Sequence, residues 1–298
     1  MDDLARNDSV ALEALEELLK RRLNPLAKLT WDAVGYELLG SRVVGLSLFG
    51  CGLEALPVEI ARLDGLRRLN VRRNRICAFP AAFGDMPGLQ LVSAERNRLT
   101  CIPDLRGSAA SLRELYLANN HIEDVENLRH LSKLEILDLD HNGIRSIGDS
   151  LADCGALKIL NLGSKKIATL ADPDVYTPAP LRKYQFPGQP RTPFELQAMI
   201  FEQRFNRVAK LESLQALESL EELSIVLNQL SELPENIGRL KNLRLLDASY
   251  NQLTALPLSL GSLTRLEVVD VSHNDIAVPP AFISGQTRLD LRGNPAGT

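Results

Sequence analysis

The residues able to do chemistry are few, and their spacing is the first thing to weigh. Four histidines, His121, His130, His141 and His273, are spread along the 298-residue chain. A zinc site needs ligands that converge, and a nucleophilic triad needs an imidazole between a nucleophile and an acid. No spacing among these four matches either arrangement. Gly163-Ser164-Lys165-Lys166 ends as a phosphate-binding loop ends, but the preceding glycine is missing at the required distance. The cysteines, Cys51, Cys77, Cys101 and Cys154, have no histidine and acid placed to activate them. The expectation is therefore no catalytic residue, no metal and no cofactor: a chain that is not an enzyme.

Composition narrows the class. The chain is 45% hydrophobic and 24% charged, with a net charge of −4 from 34 basic and 38 acidic residues. That balance belongs to a globular protein and gives no global attraction to nucleic acid or to an anionic membrane. No apolar run is long enough to span a bilayer, and Met1 to Asn7 lacks the basic-then-apolar pattern of a secretory signal, so a cytoplasmic location is expected. The sequon Asn7-Asp8-Ser9 reads as a chance match. Leucine is the outlier: 56 residues, against 14 aromatics of all kinds. Such a skew calls for a search for internal repeats.

The chain aligns on itself with a unit of about 23 residues. The clearest copies begin at Leu66, Leu89, Leu112, Leu134, Leu220, Leu243 and Leu266. Each has apolar residues at its positions 1, 4, 6 and 11 and an asparagine at position 9, as in Leu112, Leu115, Leu117, Asn120 and Ile122. Weaker copies start at Val43, with Cys51 in the asparagine position, at Leu157, with Lys165 there, and at Ala198, with Phe201, Asn206 and Val208; a short last one carries Leu289, Leu291 and Asn294. This pattern resembles the leucine-rich repeat, LxxLxLxxNxL. Return segments such as Leu56-Pro57-x-x-Ile60 and Leu233-Pro234-x-x-Ile237 are similar to the 23-residue intracellular type of the Ras-signalling group and of Roco proteins. The copies at Leu112 and Ala198 resemble instead the 22-residue type of protein-phosphatase regulators. Residues 40–57 resemble stand-alone prokaryotic cytoplasmic members.

The resemblance implies an α/β solenoid, a horseshoe with a parallel concave sheet, in which a single copy cannot bury its own leucines. Positions 3 to 8 alternate with period two and read as a strand. The asparagine column Asn74, Asn97, Asn120, Asn142, Asn206, Asn228, Asn251, Asn274 and Asn294 reads as a ladder that satisfies backbone groups of adjoining turns. Two parts are expected: an N-terminal helical cap over 1–42, and a solenoid of about eleven copies over 43–298. The capping helix is placed over 9–23, with Ser9 as N-cap and Leu12, Leu15, Leu19 and Leu23 on one stripe. The C-terminal edge has no matching helix, so either a partner covers it or the natural protein continues past Thr298. Cysteine caps of the extracellular kind are absent, and the cysteines read as ordinary buried small residues of a reducing compartment.

The register breaks once. A proline-rich insertion at 171–197 is expected to leave the sheet after Leu170 as an exposed loop, with Tyr176, Tyr184 and Phe186 as a possible second contact site. Thr192, Pro193 and Glu195 predict a helix start, while Asn206 and Val208 ask for a strand over 200–204; a short helix ending near Met199 with the degenerate copy retained reconciles them.

Outward positions 3, 5, 7 and 8 are expected to form one concave surface free of packing duty. Arg68, Arg72, Arg73 and Arg96 make its N-terminal end basic, and Asp138, Asp140, Asp247 and Asp270 make its later copies acidic. His141, Tyr116, Phe205 and Tyr250 lie among them. Arginine and aromatic anchors are what protein interfaces use. The function expected is a non-enzymatic scaffold gripping a protein partner on this face, or the recognition domain of a larger signalling enzyme or sensor. The family resemblance suggests a small GTPase or a Ser/Thr phosphatase as partner. Neither nucleic acid nor membrane is expected, and the sequence does not define the oligomeric state.

Overall fold

The computed structural model describes residues 4–30, 32–163, 206–212, 214–281, 283 and 287–297. Its frame is one 12-stranded sheet whose strands follow one another in chain order. The strands are β1 (Pro25–Leu26), β2 (Val34–Leu39), β3 (Arg42–Leu48), β4 (Arg68–Asn70), β5 (Leu91–Ser93), β6 (Glu114–Tyr116), β7 (Ile136–Asp138), β8 (Ile159–Asn161), β9 (Glu222–Ser224), β10 (Leu245–Asp247), β11 (Val268–Asp270) and β12 (Arg288–Asp290). From β3 onward every pairing is parallel and in register, Arg68 beside Leu91 and Leu91 beside Glu114. Among the described strands only the β2–β3 hairpin is antiparallel. Among the described residues no helix is long and apolar enough to cross a membrane.

Position 4 of each copy, with positions 1, 6 and 11, forms the interior. In the copy at Leu66, Leu66, Leu69, Val71 and Ile76 are all fully buried. In four return segments opened by a proline, a five-residue 3₁₀ turn follows it: Val58–Arg62 after Pro57, Ala81–Asp85 after Pro80, Glu235–Arg239 after Pro234 and Leu258–Ser262 after Pro257; after Pro103, at the same repeat position, the turn is only Arg106–Ser108. Proline supplies a suitable φ and has no N–H to leave unpaired. In the shorter copies, without that proline, the turn shrinks to three residues, as at Glu126–Leu128.

The asparagine column is a ladder. Asn97 donates to the carbonyls of Ala94 in its own copy and Val71 in the preceding one (2.9 and 3.0 Å), and its Oδ1 accepts the Ile76 N–H at 3.0 Å. Asn120 repeats this with Leu117, Ala94 and Leu99, and Asn274 with Val271, Ala248 and Leu253. The bonds pair buried backbone groups that a strand of three residues cannot reach. Cys51 stands in the same position, its thiol 3.7 Å from the Phe49 carbonyl.

Several expectations are corrected. The strands cover positions 3 to 5, not 3 to 8, because position 8 turns left-handed, as described below. The helix α1 runs Arg6–Leu19, with Ala5 rather than Ser9 at its N-terminus; Ser9 lies within the first turn and bonds back to the Ala5 carbonyl. Its register is set by a buried carboxylate: Asp8 is fully buried and accepts the Val43 N–H at 2.6 Å, tying the helix to β3. Ala11, Leu12 and Leu15 bury one face of α1, and the helix packs on the Val58–Arg62 turn. The cap is thus a helix followed by two strands that extend the sheet. Of the cysteines, only Cys154 is buried, its thiol pushed up to about 12, chiefly by that burial; Cys51 is half-buried, and Cys77 and Cys101 are exposed.

The copy expected at Ala198 is not a separate one. Strand β8 pairs directly with β9, Ile159 beside Glu222, leaving no strand between them. Asn206 donates to Leu162 and Leu139 (3.0 and 2.9 Å) and accepts the Ile144 N–H at 3.0 Å, which are the bonds of the position-9 asparagine in the copy begun at Leu157. That copy is therefore split: Gly163, at position 7, is its last described residue before the break, and Asn206 closes it in place of Lys165. Among the described residues the solenoid has ten strands, β3 to β12, where about eleven copies were expected. Because Asn206 fills position 9, the repeat is left before Lys165 and not after Leu170. The insertion at 171–197, with Tyr176, Tyr184 and Phe186, and the proposed helix near 193–199 lie outside the described residues, as does the strand proposed over 200–204.

Candidate protein-binding face

Repetition of one hydrogen-bond scheme builds this face. The position-6 N–H donates to the position-5 carbonyl of the next copy, as Val71 does to Ser93 and Ala94 to Tyr116 (both 2.8 Å). The position-8 N–H donates to the next position-7 carbonyl, as Arg73 does to Glu95 (3.0 Å) and Tyr250 to Ser272 (2.9 Å). The position-7 N–H between them is left over, and the position-5 side chain takes it. Asn70, Asp138, Asn161, Asp247, Asp270 and Asp290 accept from Arg72, Asp140, Gly163, Ser249, Ser272 and Arg292 at 3.0–3.2 Å. An acidic or amide residue at position 5 is thus part of the fold before it is part of any interface. Gly163 sits so near the next copy that a Cβ on it would stand 2.2 Å from the Val226 nitrogen.

Position 8 is left-handed throughout the described copies. Arg73, Arg96, Asn119, His141, Leu227, Tyr250 and His273 have φ between 49° and 58°, and the first and last copies place Gly50 and Gly293 there. For a residue other than glycine this conformation costs about 1–2 kcal/mol. The backbone would accept glycine in every copy, so the side chains at position 8 are not dictated by its geometry. They form a single file along one margin of the sheet, in which the Tyr250 and His273 rings stack at 4.2 Å and 14°. Arg73 lies 5.6 Å over the Phe49 ring. Asn, Gly and His are enriched in left-handed backbone, so Gly50, Asn119, His141, His273 and Gly293 at one register position carried a readable signal.

The expected contact residues fall into three groups. Arg73 is exposed, Arg96, His141 and Tyr250 are half-buried, and all four belong to the position-8 file. A second group faces the hollow but is engaged within it, against the expectation of a surface free of packing duty. Arg68 meets Glu37 at 2.6 Å; Arg72, 3% exposed, has its Nε 3.4 Å from Glu95; the buried Tyr116 hydroxyl donates to Glu114 at 2.8 Å. Asp247 and Asp270 also accept the hydroxyls of Ser249 and Ser272 at 2.7 and 2.6 Å. Asp138 accepts from Asn161 at 2.9 Å, and Asp140 lies 2.6 Å from His141 Nδ1. Phe205, with the loop residues Tyr176, Tyr184 and Phe186, falls outside the described residues.

Electrostatics concentrates at the centre. Burial, then the charges of Asp140 and Glu95, push the Asp138 carboxyl up to about 7, against the opposing Asp140 N–H and His141. Burial raises Asp140 too, and it raises Glu114 beside Tyr116. These are carboxylates held close together on a sheet, without the convergent ligand set a metal needs: among the described residues no group of three His, Cys, Asp or Glu could hold one.

Residues 37–231 match a family model described as a leucine-rich repeat region, and residues 241–280 match one described as two copies of leucine-rich repeats. No curated protein matches the sequence. Among solved structures, a Leptospira interrogans LRR protein is 23% identical with a TM-score of 0.53, covering 82% of this chain and 59% of that one. A chain from an octameric complex of latrophilin 3, Unc5D and the LRR of FLRT2 is 21% identical with a TM-score of 0.58, covering 82% and 65%. The PEPR1–AtPEP1 structure gives 19% and 0.63, covering 97% and 42%. At such identities the likeness is one of fold, and the chain spans less than two thirds of the length of each. A family match over more than half of the residues, together with the asparagine ladder and the in-register parallel sheet, makes this chain a member of the leucine-rich-repeat proteins.

Proposed function

We propose that the chain is a non-enzymatic scaffold that holds a protein partner against its sheet face, within the cytoplasm. Leucine-rich repeats are in general protein-interaction modules. The observation that carries the reading here is the position-8 file: large side chains, cationic at Arg73 and Arg96 and aromatic at Tyr250 and His273, held in a backbone conformation that favours glycine. Strain of this kind persists where the surrounding structure over-determines it, and it concentrates at contact sites. Arginine and tyrosine are also the residue types that anchor interfaces.

The test is capture from native lysate with the intact chain, beside Arg73→Gly and the pair Tyr250→Ala, His273→Gly. A partner identified with the unaltered chain and lost with both variants, at unchanged melting temperature, supports the reading. A partner retained by both removes this face as its site. A small GTPase or a Ser/Thr phosphatase is the partner class that the 22- and 23-residue copies suggest, and purified examples of each can be assayed directly. A second reading, the recognition part of a larger signalling protein, draws support from the greater length of the three structural relatives. A reading frame that continues past Thr298 into a catalytic domain would favour it.

A further inference from the structure

Two adjacent copies export positive charge at the margin where the strand gives way to the return segment. Arg73 and Arg75 flank the inward Asn74; Arg96 and Arg98 flank the inward Asn97. The register β4–β5 sets Arg73 beside Arg96 and Arg75 beside Arg98, with backbones roughly 4.8 Å apart. Main-chain bonds fix that spacing: Arg73 N–H to Glu95 O at 3.0 Å and Arg98 N–H to Ile76 O at 2.9 Å. Arg73, Arg75 and Arg98 are exposed and Arg96 is half-buried; Asn119, next in the position-8 file, is exposed. Arg75 lies 3.9 Å from Glu54, both side chains being largely in solvent; among the described residues neither Arg73 nor Arg98 has a carboxylate within 4 Å, and Arg73 lies over the Phe49 ring. Like charges carried by adjacent copies repel one another, and an anion placed over the cluster would relieve the repulsion.

We propose that Arg73, Arg75, Arg96 and Arg98 form a docking site for an acidic segment of a partner protein, its carboxylates or phosphates received by guanidinium forks from neighbouring copies. The patch spans two copies only, and the next position-8 residue in the file, Asn119, is uncharged, so the patch matches the reach of a short acidic segment rather than the continuous charge of duplex DNA. The forked, five-donor geometry of arginine matches carboxylate and phosphate oxygens pairwise. This site goes beyond the reading of the sheet face as a grip, since Arg75 and Arg98 lie outside the strands and a partner could use either surface alone.

The experiment uses the full chain and labelled twelve-residue peptides in which Ser alternates with Glu or with phosphoserine, followed by fluorescence anisotropy at low and at physiological salt. Both acidic peptides are expected to bind, the Gln counterpart not. The double change Arg75→Glu, Arg98→Glu is expected to weaken binding about tenfold or more and to flatten its salt dependence. Arg73→Gly, Arg96→Gly is expected to weaken it while the melting temperature stays level or rises, which a structural role for these arginines would not allow. The inference is overturned if the unaltered chain does not bind the acidic peptides, if the Gln peptide binds equally, or if either double variant binds like the parent. It is overturned equally if inorganic phosphate binds as tightly as the peptides, or if duplex DNA or phosphatidylserine vesicles bind more tightly through the same arginines. The pair Tyr250→Ala, His273→Gly is expected to leave peptide binding unchanged, so failure of the sheet-face reading and failure of this one are separable.

Discussion

The copies beginning at Leu66 and Leu89 share a backbone with those beginning at Leu243 and Leu266, yet they use their outward positions in opposite ways. In the first pair, position 5 is Asn70 or Ser93 and position 8 is Arg73 or Arg96; in the second, Asp247 and Asp270 stand at position 5, Ser249 and Ser272 at position 7, and Tyr250 and His273 at position 8. The acidic copies turn their charge inward to the fold, since each aspartate takes both the N–H and the hydroxyl of the serine two residues on. The basic copies send much of theirs outward. A charge counted in the sequence is therefore not yet a charge offered to a partner; what separates the two is whether the local backbone has a donor for it.

The largest test of that contrast is Asp247→Ala. It strands the buried Ser249 N–H and hydroxyl and is expected to cost about 1–3 kcal/mol in urea unfolding, whereas Arg73→Ala, which has no carboxylate partner among the described residues and gives up only the Phe49 contact, should change stability by less than about 1 kcal/mol. Equal losses would erase the distinction. Asn97→Ala calibrates the scale, because it breaks the bonds to Val71, Ala94 and Ile76 and is expected to fall in the same 1–3 kcal/mol range of about one unpaired buried group.

Next in size is a pH effect at Asp138, between the two pairs. Its carboxyl is raised from 3.8 to about 7 in the folded chain, so the folded state binds the proton more tightly than the unfolded one. The unfolded state then holds fewer protons between those values, and stability falls as pH rises from about 4 to about 7. Asp138→Asn keeps an oxygen to accept the Asp140 N–H and removes the charge. It is expected to flatten this part of the melting-temperature profile and to melt higher than the parent at pH 8. A profile unchanged by the substitution would show that Asp138 ionises as freely as a solvated acid. The smallest effect is expected at position 8 itself. Asn119→Gly relieves left-handed strain but frees the unfolded chain, and these nearly cancel, leaving a change within about 1 kcal/mol.

Thiol labelling gives a separate check on burial: Cys77 and Cys101 are expected to react readily, and Cys154 only on unfolding. All four read from sequence as small residues suited to an interior. The repeat positions 12 and 13 of Cys77 and Cys101 lie just past the last inward residue of the motif, and nothing in residue type alone separates them from Cys154.

Periodicity made most of the fold legible. Ile122 and Leu253 were placed in the interior, and Asn120 and Asn274 in the ladder, by counting alone, because every copy meets the same neighbours and so must solve the same packing and hydrogen-bonding problem. The interruption was misread for the same reason: counting assigns Asn206 to the nearest preceding leucine pattern, while its bonds to Leu139 and Leu162 show that it closes a copy opened far upstream. Ser9 was misread because a good capping residue near a helix start competes with a buried tether, Asp8 to Val43, that no local pattern encodes.

Residue order by itself determined the solenoid, its asparagine ladder and the sign of charge at each outward register position, since those depend on hydrophobic spacing and residue type. Only the tertiary structure decided which outward side chains are available. The position-5 acids of the later copies are held by N–H groups that become surplus when strand hydrogen bonds skip position 7, and Arg72 is buried beside Glu95 of the neighbouring copy. Those consequences depend on how adjacent copies stack, and a one-dimensional pattern contains the spacing of the copies but not the donors left over between them.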